Sequence, residues 1–303
     1  MMYMRILFLL CVSVLLGACA TQNSNQQSNA QMSNLLLAEP APMSVRSQLA
    51  IVRYSQILGQ ISLKDEERAQ LLHQRGMLYD SVGLSGLAQY DFSQAIALKP
   101  DLAEAYNSMG VHHTQQMEFI QAYEAFDATL DINPNYEFAF LNRGIALYYG
   151  GRPDLAVQDL DAFYNKDASD PYRALWSFLA HSELDKNQAR LDLQAARENL
   201  DSANWATKLV DLYLGKIPER ALLDALITGV TSQQQLTDRL CEAYFYLGKY
   251  HASRGNRGVA SNYFKLALST NVFEYVEHRY ARLELNLLRN EANAGANADT
   301  QAQ

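Results

Sequence analysis

The residues able to do chemistry are scattered along this chain. Six histidines, His73, His112, His113, His181, His251 and His278, form no HExxH motif, the spacing that sets two imidazoles on one helix face for zinc. The adjacent His112 and His113 project in different directions from any helix that carries them. Carboxylates are plentiful, but they fall on helix surfaces and N-terminal turns rather than as a convergent pair, so no general acid and base are indicated. No glycine-rich loop follows a strand, and there is hardly a strand pattern to follow. Catalytic residues, metal ligands and cofactors are all expected to be absent, and the chain reads as a non-enzyme. With 25 Lys and Arg against 33 Asp and Glu, a net charge of −8 and no basic stripe, the composition argues against nucleic acid and against electrostatic attachment to anionic lipid.

One residue does point to covalent chemistry. Arg5 and the apolar run Ile6 to Leu16 lead into Leu16-Gly17-Ala18-Cys19. The run is too short for a stable span of a bilayer about 30 Å thick, which takes roughly 20 apolar residues. Small residues before a cysteine at the end of such a run resemble the bacterial lipobox, in which the signal is cut before the cysteine and its thiol and amine are acylated. Residues 1–18 are therefore expected to be a signal peptide and Cys19 the lipidation site, anchored by three acyl chains where one would not suffice. By the sorting pattern of that box, Ala20 rather than Asp favours the outer membrane, with the body facing the periplasm. Cys11 leaves with the signal, so only Cys241 remains, no intramolecular disulfide forms, and Cys241 reads as a small buried apolar residue. Residues 19–34 and 291–303 are polar and low in complexity, the first expected as a flexible tether and the second as a disordered tail.

The elements between these ends follow one pattern. Gly76, Gly110 and Gly144 recur at an interval of 34. Around Gly76 stand Leu72, Tyr79, Ala88, Phe92, Ala95 and Pro100; around Gly110 stand Tyr106, Ala122, Phe126 and Pro134; around Gly144 stand Phe140, Leu147, Ala156, Leu160 and Phe163, with the proline delayed to Pro171. This is the tetratricopeptide pattern. Each copy predicts two antiparallel helices whose apolar stripes one hairpin cannot bury, so copies must stack. The fold class is thus all-α, a tetratricopeptide-repeat helical solenoid with an N-terminal extra helix and a C-terminal capping helix.

Residues 35–68 make the N-terminal helical segment, with Val45, Leu49, Val52 and Ile57 near helical spacing, closing the first repeat or exchanging with a second copy of the chain. Ser62-Leu63-Lys64-Asp65 fits a capping box for the next helix. Residues 69–170 hold the three clear repeats and residues 171–240 two divergent hairpins. Residues 241–290 hold a last repeat, with Tyr244, Leu247, Gly248, Ala260, Phe264 and Ala267 back in frame, and a capping helix over Glu274 to Arg289. In stacked repeats the second, fifth, ninth and twelfth places of the first helix line the concave groove. The candidate protein-binding residues are Met77 in the first copy, Asn107 and Val111 in the second, and Phe138, Leu141, Ile145 and Tyr148 in the third, with Tyr149 beside them. The third copy is apolar where a solvated helix would be polar, which marks either a partner surface or a face covered by the chain itself. Lysine and arginine are absent from these places, so recognition of a C-terminal carboxylate is not expected in this segment.

Four stretches are more particular than the repeat: Glu66-Glu67-Arg68-Ala69-Gln70-Leu71-Leu72, Leu141 through Arg152, Tyr246-Leu247-Gly248-Lys249-Tyr250 and Val276-Glu277-His278-Arg279-Tyr280-Ala281. Together with the box at Cys19 they resemble the NlpI family of outer-membrane lipoproteins of Gram-negative bacteria, over nearly the whole chain and least at 186–204. The resemblance implies a homodimeric helical-repeat adaptor on the periplasmic side of the outer membrane. Its implied partners are a tail-specific periplasmic protease and peptidoglycan hydrolases, among them an endopeptidase whose degradation the adaptor promotes. A lipoprotein assembly factor, either a pilotin or an outer-membrane biogenesis subunit, would share the anchor and the repeats.

Overall fold

The computed structural model describes residues 36–301, with side chains in the last helix through Asn290 and at Asn293. The signal peptide, Cys11, Cys19 and the tether lie outside them. Among the described residues fourteen α-helices and one 3-10 turn follow one another without a strand. Helix α1 (Val45–Gln60) begins at Ser44, whose hydroxyl accepts the N–H of Ser47 at 3.2 Å. The three clear repeats are α2 (Asp65–Ser81) with α3 (Ser85–Leu98), α4 (Ala103–Gln115) with α5 (Phe119–Ile132), and α6 (Glu137–Tyr149) with α7 (Pro153–Tyr164). Then come α8 (Pro171–Leu184) and α9 (Lys186–Ala196), the 3-10 turn Arg197–Asn199, α10 (Thr207–Tyr213) and α11 (Glu219–Ala225). The last repeat is α12 (Gln233–Ala252) with α13 (Arg257–Ser269), and α14 (Val276–Gln301) follows.

The repeat frame has a steric cause that the structure makes explicit. A Cβ on Gly76 would lie 2.5 Å from Phe92 Cε1, and one on Gly110 2.6 Å from Phe126 Cε1. The same holds for Gly144 against Leu160 Cγ at 2.6 Å and Gly248 against Phe264 Cε1 at 2.5 Å. The eighth place is thus bare because the side chain of the twenty-fourth, fully buried in every copy, lies flat on the helix there. Polar pairs add register in two of the copies. Arg75 grips Asp91 with two bonds of 2.7 and 2.8 Å and reaches Ser55 on α1 at 3.1 Å, so the first repeat carries the N-terminal helix with it. Arg143 grips Asp159 the same way, at 2.7 and 2.8 Å.

Three local expectations need correction. Helix α2 starts at Asp65 with Lys64 in the capping position; Glu67 accepts the Lys64 N–H at 3.2 Å, and Ser62 takes no part. Pro171 is the first residue of α8 rather than a stop behind α7, a place where its missing N–H costs nothing. The last helix does not end at Arg289: it continues to Gln301, so residues 291–301 are helical where a disordered tail was expected.

The chain then closes on itself. Helix α14 packs against α13, α12 and, across the superhelix, α4. The turn before it brings Phe273 over Gly83, whose φ of +77° only glycine takes easily. The segment leading into α1 is stitched to this far end: Ala41 N–H donates to the Thr270 carbonyl at 2.7 Å, and the Thr237 hydroxyl donates to the Glu39 carbonyl at 3.2 Å. No helix among the described residues is long and apolar enough to cross a membrane.

Candidate protein-binding groove

The first helices of the repeats, α2, α4 and α6, set the groove places on one concave face, but that face is not empty. Helix α14 and the second half of α12 lie against it. Val111, Leu141 and Ile145 are buried, Val111 in a cluster with Ala122 and Phe126 of α5 and Ala146 of α6, so their apolar character is that of a core between repeats. Tyr148 and Tyr149 are half-buried, their hydroxyls tied to the buried Lys249 and Glu284. Lys249 Nζ on α12 donates to Tyr148 Oη at 2.7 Å and to Glu284 Oε1 on α14 at 2.6 Å, while Tyr149 Oη donates to the same Glu284 oxygen at 2.7 Å. The ammonium also lies 4.4 Å from the Tyr148 ring centre, and the Tyr149 and Tyr280 rings meet at 5.6 Å. Burial works against the charge on Lys249, but Glu284 and Tyr148 outweigh it and hold its pKa above the ordinary lysine value. Burial, then the Glu284 charge, pushes the Tyr149 phenol up.

Five of the eight candidate residues are therefore removed from an open docking surface: Val111, Leu141 and Ile145 because they are buried core, and Tyr148 and Tyr149 because α12 and α14 supply their partners. Asn107 is half-buried and accepts from Asn142 Nδ2 at 3.0 Å. Asp80, at the twelfth place of the first copy, takes His112 Nε2 at 3.2 Å, with Arg279 of α14 at 3.9 Å, which extends the seal to the first repeat. Phe138 and Met77 are what remains open, at 55% and 44% exposure.

Met77 borders a hollow of about 480 Å³ at the N-terminal end of the groove. Arg46 and Tyr54 of α1, His73 and Met77 of α2, and Glu274 ahead of α14 line it. Burial holds His73 below the ordinary histidine value, so the ring is neutral near pH 7. The hollow thus offers a thioether and aromatic surface with one charge of each sign at its edge, which suits an extended protein segment better than a compact charged metabolite.

Lys249 and Glu242 were missed by reading groove places only in the first three copies, and Glu284, on the capping helix, holds no repeat place at all. Carried to the last copy, where Gly248 holds the eighth place, the same frame puts Glu242, Phe245 and Lys249 at the second, fifth and ninth. Among the described residues no group of three or more His, Cys, Asp and Glu could hold a metal ion, and burial pushes the Cys241 thiol up.

The architecture defines the class: an all-α tetratricopeptide-type solenoid. No family model matches the chain. Among solved structures it is similar to a tetratricopeptide repeat protein from Parabacteroides merdae, 18% identical, with a TM-score of 0.46, covering 80% of this chain and 78% of that one. It is similar also to pilF of Pseudomonas aeruginosa, at 19% identity, a TM-score of 0.42, and coverage of 73% and 99%. A third is YrrB, a TPR protein with an unusual peptide-binding site, at 16% identity, a TM-score of 0.41, and coverage of 76% and 97%. Identities this low say nothing of partners.

Proposed function

We propose that the chain is a protein-interaction adaptor, anchored through acylated Cys19 to the outer membrane and facing the periplasm. It holds a tail-specific protease and a peptidoglycan endopeptidase together, alongside other wall hydrolases. Holding two partners at a high effective concentration speeds cleavage without a catalytic residue in the adaptor. The observation that carries the reading is the hollow bounded by Arg46, Tyr54, His73, Met77 and Glu274, the part of the groove that the chain's own last helix leaves unfilled. The homodimer implied by the sequence resemblance has support in α1: Val45, Leu49 and Val52, one helical stripe, are more than half exposed. A second copy of the chain is the occupant we assign to that stripe.

The test is retention from an envelope extract by the full-length chain in mild detergent, with Met77→Glu as the comparison. Met77 is exposed, so the variant keeps its fold. Retention of a periplasmic protease and a wall hydrolase by the native chain, with loss of one of them by Met77→Glu, supports the adaptor and its site. Retention of neither refutes the protease and hydrolase reading and leaves an assembly factor as the better account.

A further inference from the structure

A second cleft, of about 430 Å³, runs between α7 and α9 where both pack on α8. Its floor is apolar, with Phe178 of α8 beside Ala189 and Leu193 of α9. Its rims carry Asp161 and Asp192. Asp161 is fixed in place, accepting the Ser177 hydroxyl at 2.7 Å and facing His181 Nε2 at 3.0 Å. Asp192 accepts only from the neutral Gln188 amide, at 2.8 Å. The arginines on these elements are engaged elsewhere: Arg173 pairs with Glu137, Arg190 donates to the Leu214 carbonyl at 2.8 Å, and Arg197 grips Asp211 at 2.7 Å. The cleft therefore keeps two carboxylates, one on each wall, neither paired with lysine or arginine among the described residues and Asp161 facing the His181 imidazole, above a floor that includes the apolar side chains of Phe178, Ala189 and Leu193.

We propose that this cleft docks a basic extended segment of a partner protein, an aliphatic side chain entering between α7 and α9 with lysine or arginine on either side. Charge complementarity selects that occupant. An acidic segment would bring like charges onto Asp161 and Asp192, and a purely polar one would leave Phe178 and Leu193 uncovered. The proposal rests on the adaptor reading and adds a second docking place, remote in sequence from Met77, with its own partner chemistry.

The test is fluorescence anisotropy of fluorescein-labelled Ser-Lys-Leu-Lys-Ser with the full-length chain in mild detergent. Ser-Lys-Gly-Lys-Ser and Ser-Glu-Leu-Glu-Ser serve as the comparison probes. Asp192 is exposed, so Asp192→Lys leaves the fold intact and is expected to weaken the lysine-leucine probe about tenfold. Asp161→Asn is expected to weaken it several-fold. Glu124→Lys, an equal charge change on an exposed residue of α5, is expected to change it less than about twofold, since screening confines the effect to near charges. Equal weakening by Asp192→Lys and Glu124→Lys would assign the binding to diffuse charge and overturn the proposal. So would equal binding of the glycine probe, or no binding of the lysine-leucine probe at millimolar concentration. Because no protease or hydrolase enters this measurement, its outcome is separate from that of the retention experiment.

Discussion

Two carboxyls in the interior of the last repeat make stability fall as pH rises. Glu242 on α12 and Glu277 in the first turn of α14 lie within electrostatic reach of one another. Burial, the largest cause in both, pushes Glu242 up to about 8 and Glu277 to about 7. The charge of Glu277 adds to the effect at Glu242, and that of Asp170 at Glu277. The cation nearest to Glu242 in sequence, Arg239, opposes the shift least of the causes acting there, since its guanidinium donates to the Thr228 carbonyl at 2.8 Å and lies 5.7 Å from the Trp205 ring centre. In the unfolded chain both carboxyls return to the usual range near 4.3, so their stabilising contribution is complete below that pH and is lost as pH rises through 7 and 8. His73 and His278, held low by burial, act in the opposite direction around and below about pH 6.5, so the window above it isolates the pair. There the native chain binds about one more proton than the unfolded one, and at about 1.4 kcal/mol per pH unit the loss between pH 6.5 and 8 is about 2 kcal/mol. The assay is urea unfolding followed by circular dichroism at half-unit pH steps, on the native chain and on Glu277→Gln. The native chain is expected to lose those ~2 kcal/mol and the variant clearly less, keeping the slope that burial of Glu242 sustains, so that the variant is the more stable of the two at pH 8. A native profile that is flat or rising over the window, or a variant less stable than the native chain at pH 8, would refute the reasoning.

Three further outcomes follow from the packing. Gly76→Ala drives a Cβ into the buried Phe92 ring and is expected to cost about 1–3 kcal/mol, whereas Gly59→Ala, with nothing within 4 Å of the new carbon, is expected to stabilise by up to about 1 kcal/mol; thermal melts separate them. Lys249→Met strands the Glu284 charge in the interior and is expected to cost about 3–5 kcal/mol, while the pair Lys249→Met with Glu284→Leu recovers most of it, as a double-mutant cycle in urea would read. Leu49→Asp, on the exposed stripe of α1, is expected to keep the helical circular dichroism and to turn the proposed dimer into a monomer by sedimentation velocity.

Much of this architecture is legible because the repeat is a local device. Gly76 and Phe92 sit in one hairpin, so their spacing alone carries the contact between them. The contents of the groove are not local. Tyr149 and Glu284 are 135 residues apart, and no periodicity tells which later helix will fill the concave face. The apolar third copy signalled coverage as strongly as docking; at Tyr148 and Tyr149 the structure decides for coverage because Lys249 and Glu284 arrive from the last repeat and its cap, while Phe138 stays open. A lysine in a groove place of the fourth copy was the available sign. Residues 291–301 misled for a different reason: their Asn, Ala and Gly content resembles a tether, yet they continue a helix already nucleated at Val276, and propagation costs far less than nucleation.

The bond from Ala41 to Thr270 has a mechanical consequence. A solenoid with free ends behaves as a spring, taking up tension by opening each hairpin a little. Here the entering chain is fastened to the opposite end before it reaches the first repeat. A pull entering along the chain ahead of Ala41 would load the turn between α13 and α14 first and leave the repeats slack. Glu274 of that turn also lines the hollow beside Met77, so a partner seated there would feel the load before the middle repeats do.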